Sequence, residues 1–206
     1  MSIVNEQLPD ETAAYDKSVT RAAHLPGEPG VWVLIGGDLL IFSLFFLSFM
    51  AYRNASPTIY SSAQSQLNLK LGVLNTILLL TSSWFVATAV QAARRTSPHR
   101  AAIFFTLAFL CGLCFVGIKG IEYHERLAAG ASIAGNEFFM FYFMLTGVHL
   151  LHVLIGLGVL LWLRQKTSGR APLTAQNMVL IESGATFWHL VDVLWIILFA
   201  LLYLVR

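Results

Sequence analysis

Four ionisable residues fall inside strongly apolar stretches of this chain, namely Asp38, Glu182, His189 and Asp192. A charge near the middle of a membrane-spanning segment costs at least about 2.5 kcal/mol, so each of these residues needs a partner or a task. His189 and Asp192 are three residues apart and can hydrogen-bond across one helical turn. Asp38 lies at a similar depth and can meet them if the stretches that carry them are neighbours.

Such a cluster is suited to holding a proton. A carboxylate in a low dielectric takes up a proton more readily than in water, and histidine titrates near neutrality. The same residues could instead form a hydrogen-bonded clamp between helices without any chemistry, or contact lipid headgroups. The residue types and spacing leave these three interpretations open.

A second set of polar residues is predicted to be buried in the apolar stretches: His149, His152, Lys119 and Glu122. His149 and His152 are one turn apart, but a closed transition-metal site usually needs three or four ligands. A haem would need facing histidines from two helices at matched depth. We therefore expect hydrogen-bonded histidines and no metal or haem in this chain.

Lys119 and Glu122 are also three residues apart and can form an ion pair on one helical face. They lie near the end of an apolar stretch, beside Tyr123, His124 and Glu125. We expect the pair to anchor the helix at the membrane boundary, with the Lys119 side chain extending to the interface. Tyrosines and tryptophans near the ends of the stretches, Tyr142 and Tyr203 among them, are likewise expected in the interfacial belts.

Cys111 and Cys114 form a C-x-x-C pattern inside an unbroken apolar stretch. A redox C-x-x-C depends on a helix N-terminus to lower the pKa of a thiol, and this one lies about ten residues into its stretch. We expect the two cysteines to pack in the core.

The elements that position these residues are predicted from hydropathy. Of the 206 residues, 57% are hydrophobic and 12% are charged, compared with roughly 25% charged in an ordinary globular domain. Apolar runs of spanning length cover 31–52, 71–92, 101–121, 138–163 and 179–205. The sequence predicts an all-α polytopic membrane protein, a bundle of five transmembrane helices, with short solvated connectors at 53–70, 94–100 and 164–177.

The chain ends are predicted from charge. The polar segment 1–30 has no apolar core of the kind that a signal peptide requires, and 31–206 form the membrane domain. Lys and Arg near span ends number eight on the side of the N-terminus and four on the other side. The N-terminus is therefore expected in the cytoplasm and the C-terminus outside. The net charge of +2 does not indicate a nucleic-acid partner.

Several ordered motifs resemble subunit III of the haem-copper oxidases. They are Phe187-Trp188-His189-Leu190-Val191-Asp192 followed by Trp195, Gly147-Val148-His149-Leu150-Leu151-His152 followed by Gly156, and Lys119 with Glu122-Tyr123. Leu74-Asn75-Thr76, Ser82-Ser83 and the residues around Asp38 add weaker agreement. The chain is similar to the short, five-helix form of the family, and its entry segment looks most like the branch associated with nitric oxide reductases. It departs from many relatives in having Asp38 in place of glutamate and Phe187 in place of tyrosine.

The resemblance implies an accessory subunit in a bacterial inner membrane that is not catalytic on its own. Such a subunit packs beside catalytic subunit I, with subunit II as a further candidate partner. It supports proton uptake by the oxidase and contacts membrane lipids, and phospholipid is a candidate ligand. Haem and copper are expected in the partner subunits. A small proton-coupled transporter and a haem-binding membrane cytochrome are the alternatives.

Overall fold

A computed structural model describes residues 28–95, 97–130, 136–169 and 174–205. It contains α1 (Pro29–Ala55), α2 (Pro57–Ser65), α3 (Leu69–Arg94), α4 (Pro98–Ala128), α5 (Glu137–Ser168) and α6 (Ala175–Phe199), which continues into a π-helical turn, Ala200–Leu204. All the regular structure in the described ranges is helical. Five of the helices are long and apolar enough to cross a membrane, which confirms the predicted five-helix architecture. The predicted polar segment 1–30 lies, but for its last three residues, outside the described ranges.

The helix ends follow from the polar residues between the apolar runs. The side chains of Asn68, Asn136 and Thr174 cap α3, α5 and α6 by accepting backbone N–H groups of the first turn. The other three helices begin with a proline, namely Pro29, Pro57 and Pro98. Proline lacks a backbone N–H, and an N–H at this position would have no partner within the helix. The connectors therefore end one helix and start the next within a few residues.

The connector at 53–70 differs from its prediction, because it contains helix α2. Tyr60 and Gln64 on α2 are buried: the ring of Tyr60 packs edge-on against Phe49 and Phe138, and Gln64 Nε2 donates to the carbonyl of Leu202 at 3.0 Å. Burial, together with the nearby carboxylate of Glu137, raises the pKa of the Tyr60 phenol to about 12, so it stays neutral at physiological pH. The segment was predicted to be a solvated connector because of its high content of serine and glutamine, but it contains a helix with one buried face.

Helices α3 to α6 form the body of the bundle. α4 packs between α3 and α5, and α6 closes the group by contacting both α3 and α5. α6 is the most buried of the five long helices, whereas α1 lies at the edge and is the most exposed. Polar side chains on α3, α4, α5 and α6 can therefore be enclosed, and those on α1 lie near the outer surface of the bundle.

Candidate functional site within the helix bundle

The most buried charged side chains in the described ranges are Lys119 and Glu122 on α4, which form an ion pair. Lys119 Nζ lies 2.9 Å from Glu122 Oε2, and the two side chains are 2% and 0% exposed. Nζ also donates to the hydroxyl oxygens of Tyr203, at 3.0 Å, and Tyr142, at 3.3 Å. The Tyr203 hydroxyl in turn donates to the second oxygen of Glu122. We call these four residues the α4 ionic cluster.

Aromatic rings enclose the α4 ionic cluster. The Trp195 ring lies 4.8 Å from Lys119 Nζ, in cation–π geometry, and the indole N–H of Trp195 donates to Thr76 Oγ1 at 3.0 Å. The ring of His149 lies against those of Trp195 and Phe115, with centroid distances of 5.3 and 5.8 Å. These contacts tie α3, α4, α5 and α6 together around a single buried charge pair.

This arrangement corrects two expectations about the boundary of the membrane. Lys119 does not extend to the interface, because Glu122 and two tyrosine hydroxyls provide partners inside the bundle. Tyr142 and Tyr203 are not interfacial belt residues but buried ones, since each directs its hydroxyl at the Lys119 ammonium. The sequence placed Lys119 near the end of the apolar stretch 101–121, whereas α4 continues to Ala128, so the lysine lies deeper in the helix than expected.

Asp38 and His152 form a second polar contact, between α1 and α5. His152 Nε2 lies 3.3 Å from Asp38 Oδ2, and the side chains are 16% and 18% exposed. His152 Nδ1 donates to the carbonyl of Val148 at 2.9 Å, and Phe42 packs edge-on against the imidazole. The pair therefore lies at the edge of the bundle, only partly shielded by α1.

His189 and Asp192 on α6 lie near each other, as their spacing predicts, but Ser83 of α3 is the closer partner. His189 Nδ1 is 2.6 Å from the Ser83 hydroxyl and 4.0 Å from Asp192 Oδ2. The Asp192 side chain is 4% exposed, and no group in the described ranges meets hydrogen-bond geometry with its oxygens.

Glu182 belongs to neither of these contacts. Its Oε1 accepts from Nη2 and Nε of Arg94, at 2.8 and 3.1 Å, so the pair links the end of α3 to the first half of α6. The structure thus separates Asp38, Glu182, His189 and Asp192 into three sites. Of the four residues expected to meet in one cluster, only His189 and Asp192 lie near each other. Asp38 contacts His152 on α5, and Glu182 pairs with Arg94 on α3.

His149 and His152 also face different neighbours. His149 points inward between Phe115 and Trp195, whereas His152 points toward Asp38 and Phe42. In the parts of the chain that are described, no three His, Cys, Asp or Glu side chains converge on a point where a metal could bind. The predicted hydrogen bond is found for His152 but not for His149, whose nitrogens lack partners in those parts.

The cysteines of the C-x-x-C pattern are free thiols on α4. Cys111 is partly buried, but Cys114 is exposed on the outer surface of the bundle. The expectation that both pack in the core is therefore wrong for Cys114, because α4 presents only one of its faces to the bundle interior.

The relationship of this chain to known proteins follows from residues that run through all five long helices. The model of the family described as cytochrome c oxidase subunit III matches residues 13–205. The chain belongs to this family. This subunit III chain is therefore an integral membrane protein, and the resemblance read from its motifs is confirmed.

Relatives of the subunit III chain come from two kinds of oxidase. It is 30% identical to a probable cytochrome c oxidase subunit 3 of Nocardia farcinica, over 92% of this chain and 95% of the relative. It is 31% identical to a quinol oxidase subunit 3 of Bacillus spizizenii, over 85% of each chain. It is also 27% identical to a cytochrome c oxidase subunit 3 of Bacillus sp. strain PS3, over 97% of this chain and 96% of the relative. The predicted function, an accessory subunit III of a haem-copper respiratory oxidase, is confirmed at the level of the family.

Proposed function

We propose that this chain packs beside the haem-copper catalytic subunit I in a bacterial inner membrane, and that its Asp38–His152 pair supports proton delivery to that subunit. Haem and copper are held by the partner subunits, subunit II among them, and electron transfer takes place there. This chain holds the catalytic subunit in its active form. It also binds and releases protons at Asp38 and His152, at the edge of its own helix bundle. The Asp38–His152 contact is the single observation that carries the proton-handling part.

The hydrogen bonds of His152 support this assignment. Because Nδ1 faces the carbonyl of Val148, which can only accept, Nδ1 carries a hydrogen. Nε2 then faces a carboxylate oxygen at 3.3 Å, and this contact is attractive only when one proton lies on Nε2 or on Asp38. The pair is therefore suited to share one proton that either residue can release.

The position of the pair supports exchange of that proton with neighbours. Both side chains are partly exposed, and Asp38 lies on α1, the least buried long helix. The α4 ionic cluster, by contrast, is sealed on all sides and is better suited to holding helices together. We therefore place proton handling at Asp38–His152 and a structural role at Lys119–Glu122.

The test is Asp38→Asn in the oxidase complex purified from its native membrane. The amide keeps the volume of the side chain but removes its charge, so the complex should assemble normally. We expect turnover to fall by less than about tenfold, or the active lifetime to shorten, because groups that act directly as acid or base contribute about 10²–10⁴-fold and this pair acts at a distance. Oxygen consumption and its pH profile measure the effect.

Glu125→Gln is the matched control, since Glu125 is an exposed carboxylate near the end of α4. It should leave turnover, lifetime and pH profile unchanged. Turnover and pH profile of Asp38→Asn equal to those of the unmodified complex would refute a proton-handling role. Failure of this chain to co-purify with a haem-copper subunit would refute the accessory role itself.

A further inference from the structure

Two exposed side chains lie near the middle of the membrane on the outer side of α3 and α6. Trp84 on α3 is 62% exposed, and the His189 side chain on α6 is 39% exposed. The spans that carry them are Leu69–Arg94 and Ala175–Leu204. At 1.5 Å per residue, each of the two residues therefore lies within about 4 Å of the midpoint of its span.

The imidazole of His189 is only half satisfied within this chain. Nδ1 meets the Ser83 hydroxyl at 2.6 Å, whereas Nε2 is accessible and has no hydrogen-bond partner in the described ranges. The buried carboxyl group of Asp192 lies beside the ring, with Oδ2 4.0 Å from Nδ1, and it also lacks a partner there. Acyl chains offer neither donors nor acceptors, so lipid would leave these groups unsatisfied. A polar side chain of another protein at this depth can satisfy them.

Trp84 supports the same conclusion. In membrane proteins tryptophan is enriched near the headgroups, where its N–H reaches water while its ring stays in the apolar region. Trp84 lies ten residues from Arg94, the last residue of α3, which is about 15 Å from that end of the helix. An exposed tryptophan so far from water is typical of the buried centre of a protein–protein interface.

The outer faces of α4 and α5 at this depth are largely aliphatic. α4 exposes Leu110 and Leu113, and α5 exposes Leu151 and Leu154. Leucine is among the side chains that transfer most favourably into the hydrocarbon region. These two faces therefore suit contact with acyl chains, and the polar and aromatic groups distinguish the outer side of α3 and α6 from them.

The exposed residues of α3 and α6 form one surface, because the two helices pack side by side. We define the α3–α6 face by six of them: Ile77, Leu80, Trp84, His189, Val193 and Ile196. We propose that this face docks a transmembrane helix of the haem-copper catalytic subunit, which places a polar side chain against His189 Nε2. The proposal rests on the proposed function, which supplies the partner, and it adds which side of the bundle meets that partner.

The first experiment is photo-cross-linking in the oxidase complex in its native membrane. The photoreactive residue p-benzoylphenylalanine replaces Leu80 or Val193 on the α3–α6 face. It replaces Leu110 or Leu154 in the matched controls, and all four positions are 47–49% exposed. We expect illumination to join the first two positions, and neither control, to the catalytic subunit. Mass spectrometry of the cross-linked product identifies the partner.

The second experiment adds bulk to the α3–α6 face without entering the interior of the bundle. Val193→Trp should leave the helical content and thermal unfolding of the isolated chain unchanged, because Val193 is exposed. In the complex the added ring would overlap the docked helix, so we expect affinity for the catalytic subunit to fall by at least about tenfold. Leu154→Trp is the control and should not change it. The ratio of this chain to haem, measured after dilution of the purified complex in detergent, reports dissociation.

The third experiment removes the hydrogen bond at the centre of the face. His189→Phe keeps a ring of similar size but has no Nε2, and we expect dissociation from the catalytic subunit to increase by about three- to tenfold. His124→Phe is the matched control, because His124 is exposed near the end of α4, away from the face. If His189→Phe also lowers the stability of the isolated chain, the cross-links and Val193→Trp decide.

Four results would overturn this proposal while leaving the accessory role intact. Cross-links from the control positions, with none from Leu80 or Val193, would show that another side docks. Cross-links from the α3–α6 face to a second copy of this chain would assign that face to a homodimer. A complex that contains both subunits but gives no product from the face would show that lipid covers it, and unchanged association of Val193→Trp would show that no helix lies there. Failure of the chain to co-purify with a haem-copper subunit would instead refute the accessory role.

Discussion

Lys119 and Glu122 illustrate what a buried charge requires of its surroundings. Withdrawing two charges from water costs several kcal/mol for each ion, and their attraction offsets this only when other hydrogen bonds satisfy the remaining donors and acceptors. Here Tyr142 and Tyr203 provide those bonds, and Trp195 contributes a cation–π contact. Removing only one of the two charges is therefore costly, because the other is left buried without a partner.

We expect Lys119→Met to lower the free energy of unfolding by about 3–5 kcal/mol, since it leaves the Glu122 carboxylate buried without a cation. Glu122→Gln should have a similar effect. The double variant should cost clearly less than the sum of the two single variants. Unfolding in denaturing detergent, followed by circular dichroism, measures all three.

Lys70→Met is the control for this cycle, because Lys70 is exposed in the first turn of α3. Its effect should lie within about 0.5 kcal/mol. Additive effects of the Lys119 and Glu122 variants would show that the two charges do not stabilise each other.

At the scale of helices, the position of α6 is set by one tryptophan and two glycines. Trp188 is fully buried and fits between Gly112 of α4 and Gly156 of α5. A Cβ atom at Gly156 would lie 2.7 Å from Trp188 Cε3, and one at Gly112 would lie 2.8 Å from Leu157 Cδ2 and 2.9 Å from Trp188 Cη2. Real Cβ atoms do not approach so closely, so these glycines allow three helices to approach around the indole ring.

We expect Gly156→Ala to destabilise the bundle by about 1–3 kcal/mol, because the rigid indole must move out of a close-packed interior. Gly158→Ala, two residues further along α5, meets no heavy atom within 4 Å and should be neutral or slightly stabilising. Thermal unfolding of the two variants in detergent compares them directly. Combining Gly156→Ala with Trp188→Phe should recover part of the loss, and equal stability of both alanine variants would contradict this account of the packing.

For the whole molecule, basic residues are concentrated at one end of the bundle. The end of α3, the start of α4 and the end of α5 lie there and carry Arg94, Arg95, Arg100, Arg164 and Lys166. The opposite end carries fewer lysines and arginines, among them Arg53, Lys70 and Arg126. The positive-inside rule supports a cytoplasmic location for the basic end, and with it the proposed orientation of the chain.

This orientation predicts the behaviour of reporter fusions. Alkaline phosphatase fused after Arg206 should be active, because the enzyme folds only outside the cytoplasm, and green fluorescent protein at the same site should be dark. Fusions after Gly169, in the α5–α6 connection, should show the reverse. The opposite pattern at both sites would mean that the chain is inserted the other way round.

The sequence alone determined the five long helices, the spacing of neighbouring polar residues and the family. Hydropathy predicts a span because lipid cannot satisfy a backbone outside a helix. The three-residue spacing of Lys119 and Glu122 places them on one face whatever surrounds them. In α2, residues Tyr60, Ala63 and Gln64 repeat with helical spacing, so that helix was predictable in spite of its polar composition.

Only the tertiary structure decided which helix each polar side chain meets. Asp38 contacts His152 of α5 and not the α6 residues, and Tyr142 and Tyr203 turn inward to Lys119. Periodicity predicts which residues share a face within a turn or two of one helix. The rotation of that helix about its axis, and the helices that it contacts, depend on how all the helices pack. In this chain that packing is governed by close contacts such as Trp188 between two glycines, and no local pattern reveals them.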